Sequence, residues 1–150
     1  MKKFIEMRKA IKRLQQRYIW FPSFVQVGER LVVRDKDFVM ANGFKFAVAV
    51  ELTNGEQFIA VDDDFLKLSP ETQEAIVYHE EAHLVLKHRS SLRRRILASL
   101  FGKVYANEVE ADAYAVSKVG KGRMIHALQE LYSVYPNKEI KRRIKIIQGA

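Results

Sequence analysis

The sequence predicts an α+β fold, and three stretches carry that prediction. Residues 69–88 and 107–119 read as helices from their apolar spacing, and residues 44–61 alternate as paired strands do. The expected architecture is an N-terminal helix, a small antiparallel sheet, and then helices packed on one face of that sheet. A chain of 150 residues is expected to form a single domain over 1–150, burying roughly two-thirds of its unfolded surface.

Taken in order, residues 1–20 form the first element. Phe4, Met7, Ile11, Leu14 and Tyr18 recur at helical spacing and the lysines and arginines fill the other face, so residues 2–18 read as an amphipathic basic helix. Trp20-Phe21-Pro22 ends it. Arg30 to Arg34 is a short strand. Asn42-Gly43 and Asn54-Gly55 then bracket Phe44 to Leu52, where Phe44, Phe46, Val48, Val50 and Leu52 alternate with Lys45, Ala47, Ala49 and Glu51. Primed turns at the two Asn-Gly pairs predict a three-stranded antiparallel meander, with 44–61 as its β-hairpin. Asp62-Asp63-Asp64 lack the glycine and terminal glutamate of a calcium loop, and are read as capping a helical turn over Phe65 to Leu68.

Ser69-Pro70-Glu71 starts the next helix: a capping hydroxyl, a proline at the first helical position, and a carboxylate at the positive end of the dipole. Ala75, Ile76, His79, Ala82, His83 and Leu86 fall on one inward stripe, with Glu81 and Lys87 outside it. Within this helix His79-Glu80-Glu81-Ala82-His83 is an H-E-x-x-H sequence, two imidazoles one turn apart with a carboxylate between them. With four histidines in the chain, chance alone yields roughly 0.01 such matches.

Two histidines underfill a catalytic zinc site, which takes three protein ligands and leaves one position for water. The chain has no cysteine, and His88 and His126 stand singly, so a carboxylate is the expected third ligand. The alanine-rich segment 107–119 supplies it. Glu108 and Asp112 are one turn apart and share a face, whereas Glu110 points away. Glu108 is therefore assigned to the metal, and Asp112 to the free ring N–H of a ligand histidine. After Gly120, a helix stop, Met124, Ala127, Leu128 and Leu131 mark another helix, Pro136 breaks it, and Ile140, Ile144 and Ile147 mark a last one.

H-E-x-x-H followed by E-x-x-A-D at 108–112 resembles the gluzincin metallopeptidases of the HtpX and CaaX-prenyl-protease type, from about Phe46 to Ile144. The chain has no apolar run of spanning length and more closely resembles the small soluble minigluzincins. That resemblance implies a minimal zincin-like fold in which 69–88 is the active-site helix and 107–119 the glutamate helix. It also implies that Gln57–Val61 is the edge strand above the cleft. The family tends to carry a His-Pro pair and then an arginine, implicated in stabilising the oxyanion. Here Tyr135-Pro136 precedes Arg142 and Arg143, which makes Tyr135, Arg142 and Arg143 the candidates for that role.

The activity expected is zinc-dependent endopeptidase cleavage of protein or peptide substrates. His79, His83 and Glu108 hold Zn2+, which lowers the pKa of its water towards roughly 7. Glu80 takes the proton as the hydroxide attacks the carbonyl and delivers it to the leaving amine. Two other readings compete: an ImmA-like regulatory peptidase with one dedicated protein substrate, and a non-enzymatic basic protein that contains zinc.

The net charge of +8 is uneven. Residues 2–17 hold seven Lys or Arg against one Glu, residues 87–95 five with no acid, and residues 138–145 five against one. Such patches suit an anionic membrane surface or nucleic acid, although no nucleic-acid motif accompanies them. The absence of cysteine and of an apolar stretch after Lys2 and Lys3 leads to an expected cytoplasmic location with no transmembrane segment.

Overall fold

A computed structural model describes residues 23–41, 45–51, 55–86 and 103–149. The amphipathic helix expected over 2–18, the Asn42-Gly43 pair and the basic run 87–95 lie outside the described residues. Among those described are six helices and a four-stranded mixed sheet, an α+β composition. No helix among them is long and apolar enough to cross a membrane. The chain divides into two compact units, Met1–Lys67 and Leu68–Ala150.

The first unit holds strands β1 (Ser23–Val27), β2 (Arg30–Arg34), β3 (Ala47–Glu51) and β4 (Gln57–Val61), with helices α1 (Lys36–Ala41) and α2 (Asp63–Leu66). Gly28, at φ 57°, begins the two-residue turn that pairs β1 with β2, a conformation that favours glycine. Asp35 then starts α1 by accepting a hydrogen bond from the Phe38 amide at 3.0 Å. This helix lays Val39 into a core with Val33, Val48, Phe58 and Ala60, and Phe38 stands 5.8 Å from the Phe58 ring.

Here the expected meander is corrected. The strand order is β1-β2-β4-β3; β3 and β4 form the antiparallel hairpin, but β2 pairs parallel with β4 through Val33↔Ala60 and Arg34↔Val61. Between β2 and β3 the chain makes a helix, and β3 pairs with the far side of β4 and not with β2. A parallel pair requires such a crossover. It follows that β4 is an interior strand, and the expectation that Gln57–Val61 lies at an edge fails. Its Phe58, Ile59, Ala60 and Val61 are buried on both faces.

Asp62 joins hairpin to helix. One oxygen accepts from the Phe65 amide at 2.9 Å, capping α2, and the other accepts from the Phe46 amide at 2.7 Å. Phe46 has φ 73°, a left-handed conformation unfavourable for a bulky residue, and the Asp62 amide returns a bond to the Phe46 carbonyl at 3.0 Å. The reading of the aspartate run as a helix cap holds, with the helix at Asp63–Leu66, two residues earlier than expected.

The second unit contains α3 (Pro70–Val85), α4 (Lys103–Val119), α5 (Lys121–Val134) and α6 (Lys138–Gly149). Ser69 caps α3, Pro70 fills the first helical position, and the Ser69 amide donates to the Glu130 carboxylate at 3.0 Å, tying the start of α3 to α5. Gly120, at φ 94°, is the single residue between α4 and α5. One further expectation changes on α3. Glu81, placed outside the inward stripe, is only 5% exposed, whereas Leu86 is exposed. Val77 is buried beside Glu81 one turn away, so this helix is enclosed on more than the histidine face.

Asp62→Ala removes two hydrogen bonds, one of them holding a disfavoured backbone conformation. It should cost about 2 kcal/mol of stability, measured as a lower urea midpoint; an unchanged midpoint would mean that water replaces both bonds without loss.

Candidate metal centre

Helical spacing does the first part of the construction. On α3, His79 and His83 lie one turn apart with ring centroids 4.9 Å from each other and planes at 81°, and their Nε2 atoms are 3.2 Å apart. From α4, Glu108 closes the set: Oε2 is 2.9 Å from Nε2 of His79, and Oε1 is 3.1 Å from Nε2 of His83. Three donor groups thus converge with separations of 2.9 to 3.2 Å. A tetrahedral zinc with bonds of 2.0–2.1 Å sets its donors about 3.3 Å apart, so this triangle fits the ion with small adjustments. Glu80 belongs to the same locality: ligating atoms of His79, Glu80 and His83 all lie within 4.8 Å of one another.

One helical turn beyond Glu108, Asp112 is 2% exposed and accepts from Nδ1 of His79 at 2.7 Å. That bond leaves Nε2 directed at the convergence point and fixes the ring's orientation. Arg143 on α6 completes the arrangement. Its Nε donates to Oδ2 of Asp112 and its Nη2 to Oδ1, both at 2.7 Å, a two-pronged pair. The same Nη2 lies 3.5 Å from Nδ1 of His79, and Nη1 lies 3.8 Å from Glu108.

The structure therefore brings together His79, Glu80, His83, Glu108, Asp112 and Arg143, all within the second unit. Glu110 is exposed, as the helix-face reading expects. Tyr135 and Arg142, the other two candidates for contacting an oxyanion, are exposed on α5's end and α6's outer side. What the sequence reading lacked was the partnership of Arg143 with Asp112. A signal for it exists: Arg143 falls three residues after Ile140 and four before Ile147, the two buried positions of α6, so an arginine there flanks a buried stripe.

Charge accounts for the geometry. Burial by itself disfavours a charged His79, yet the Glu108 carboxylate, with hydrogen bonds to Asp112 and Glu108, overcomes it and holds the imidazole up to about 10, Arg143 opposing. Burial would raise Glu108, but His79 first, and then the bond from His83, keep it well below the usual carboxylate range. Asp112 is likewise lowered against burial, by His79 and Arg143. Arg143 is raised despite its own burial, chiefly by Asp112. With no metal, His79 is an imidazolium between two carboxylates. A metal arriving there takes the place of its Nε2 proton.

No protein-family model, curated protein or solved structure matches the chain.

Two outcomes are expected. Because the folded His79 titrates near 10 against roughly 6.5 when unfolded, its contribution to the metal-free protein is full below about pH 6.5 and disappears as pH rises through 10. Glu108 and Asp112, both lowered, contribute above roughly pH 4.5 and lose that contribution as pH falls. The metal-free melting temperature should therefore be highest between about pH 5 and 6.5 and decline towards 10, while zinc-loaded protein should lack the alkaline decline. Identical profiles for the two forms would show that His79 does not exchange a proton for the metal.

Arg143→Ala leaves Asp112 buried without its guanidinium and frees the His79 ring to reorient. Zinc affinity measured by chelator competition should fall roughly 10- to 100-fold, with partial recovery in Arg143→Lys. An affinity equal to wild type would make the pair purely structural.

Proposed function

We propose that the chain is a zinc-dependent metalloendopeptidase of gluzincin type with a minimal zincin-like fold, similar to the minigluzincins. The observation that carries this reading is the 2.9 to 3.2 Å convergence of His79, His83 and Glu108 from two helices, with Glu80 beside them. His79, His83 and Glu108 are the residues that would hold the ion. Zinc bound there supplies the Lewis acidity that ionises water near pH 7 and polarises a peptide carbonyl.

The protein's own groups do the rest. Glu80, adjacent to a ligand yet outside the triangle, accepts the proton released from the attacking water and returns it to the leaving amine. Asp112 keeps His79 in the tautomer whose Nε2 is free to ligate, and Arg143 holds Asp112. Arg143 is thus a positioning residue: Nε and Nη2 are engaged by Asp112. Tyr135 and Arg142 take no part in this reading. An arginine close to Glu108 and Asp112 also offsets the negative charge of those two carboxylates.

The experiment combines metal analysis with cleavage of an unbiased peptide library. Glu80→Gln should retain about one zinc per chain and lose nearly all hydrolysis. Glu108→Ala should lose most of the zinc, whereas Glu110→Ala should keep it. Zinc with no cleavage in the wild type would instead support a non-enzymatic zinc protein, and unaltered turnover in Glu80→Gln would sink the proton-transfer role.

A further inference from the structure

The two sides of α6 are chemically opposite. Ile140 and Ile147 are buried, and Arg143 on the flank of that side reaches Asp112. At 3.6 residues per turn, Lys138, Lys141, Arg142 and Lys145 fall within an arc of about 100° centred opposite those isoleucines. All four are exposed. Among the described residues none of the four makes an ion pair, whereas Arg34, Lys45, Lys67 and Arg143 each face a carboxylate. The stripe spans about 10 Å of helix and is flanked by one acid on the same helix, Glu139.

Apolar side chains protrude beside it. Ile146, 40% exposed, borders the cationic arc, and Val134, 51% exposed, ends α5 with three residues between it and the start of α6 at Lys138. Tyr132 and Tyr135 are also exposed there. A row of cations with no ion pair among the described residues would suit any polyanion. Protruding aliphatic side chains discriminate, because they gain by entering the acyl boundary of a bilayer and gain nothing from a phosphate backbone. We propose that the outer face of α6, with Val134 and Ile146, is a docking surface for an anionic lipid membrane. The helix lies along the headgroups with its cations over acidic lipid, and its opposite side continues to hold Asp112.

The proposal is independent of peptidase activity. It is tested by sedimentation of the full chain with vesicles of phosphatidylcholine alone or mixed with phosphatidylserine, alongside titration with a duplex oligonucleotide at the same ionic strength. Binding is expected to the mixed vesicles and not to phosphatidylcholine. The variant Lys138→Gln/Lys141→Gln/Arg142→Gln/Lys145→Gln, its fold checked by circular dichroism, should weaken it on the order of several hundred-fold, from roughly fivefold per cation. Val134→Ser/Ile146→Ser should weaken vesicle binding as well, with the salt dependence unchanged. Three results would overturn the proposal: no binding to mixed vesicles, undiminished binding by the fourfold variant, or tighter binding to the duplex that ignores Val134→Ser/Ile146→Ser.

Discussion

The Asp112 carboxylate is the constraint around which the helical unit is organised. Nearly excluded from water, it accepts from His79 on one helix and from both prongs of Arg143 on another. A carboxylate so buried is costly unless each of its lone pairs has a donor, and removing one partner is more damaging than never having built the pair. Three helices, α3, α4 and α6, are therefore held to one mutual arrangement by a single side chain. Apolar packing alone would not specify it so narrowly, because an isoleucine stripe tolerates small rotations that a two-pronged hydrogen bond does not.

In the proposed zinc reading, a proton and a divalent cation would compete for Nε2 of His79, and the adjacent Glu108 would favour either. The cluster gathers three carboxylates, Glu80, Glu108 and Asp112, against one guanidinium, an excess of acid that a bound cation would offset.

Local rules made much of this legible. His79 and His83 share a face because four residues make about one turn, and Ser69-Pro70 starts a helix through chemistry confined to three neighbours. Glu108 and Asp112 could be placed together and apart from Glu110 by the same periodicity. Where the outcome depended on distant partners, the pattern was silent. Alternation showed which residues of β3 and β4 pair in a hairpin, but not that β2 would join β4 in parallel, since strand order is set by the crossover through α1. Glu81 is enclosed although its helical position lies off the histidine stripe; that is a property of the assembled protein, which periodicity on one helix does not contain. Arg142 and Arg143 are neighbours of the same type, and only the burial of Ile140 and Ile147 decides which one turns inward.

The spacing of these residues along the chain bears on how the protein is made. His79 and Glu108 are 29 residues apart, and Arg143 follows His79 by 64. At a synthesis rate of about 5–20 residues per second, both histidines leave the ribosome roughly three to thirteen seconds before the arginine does. During that interval the two imidazoles on one helix lack Glu108, or the arginine that orients Asp112. In the proposed zinc reading, metal capture would wait until Glu108 has followed the histidines out, and α3 would form without zinc as a template. The same delay would limit misloading on the nascent chain, because an ion would not meet all three proposed ligands until translation had passed Glu108.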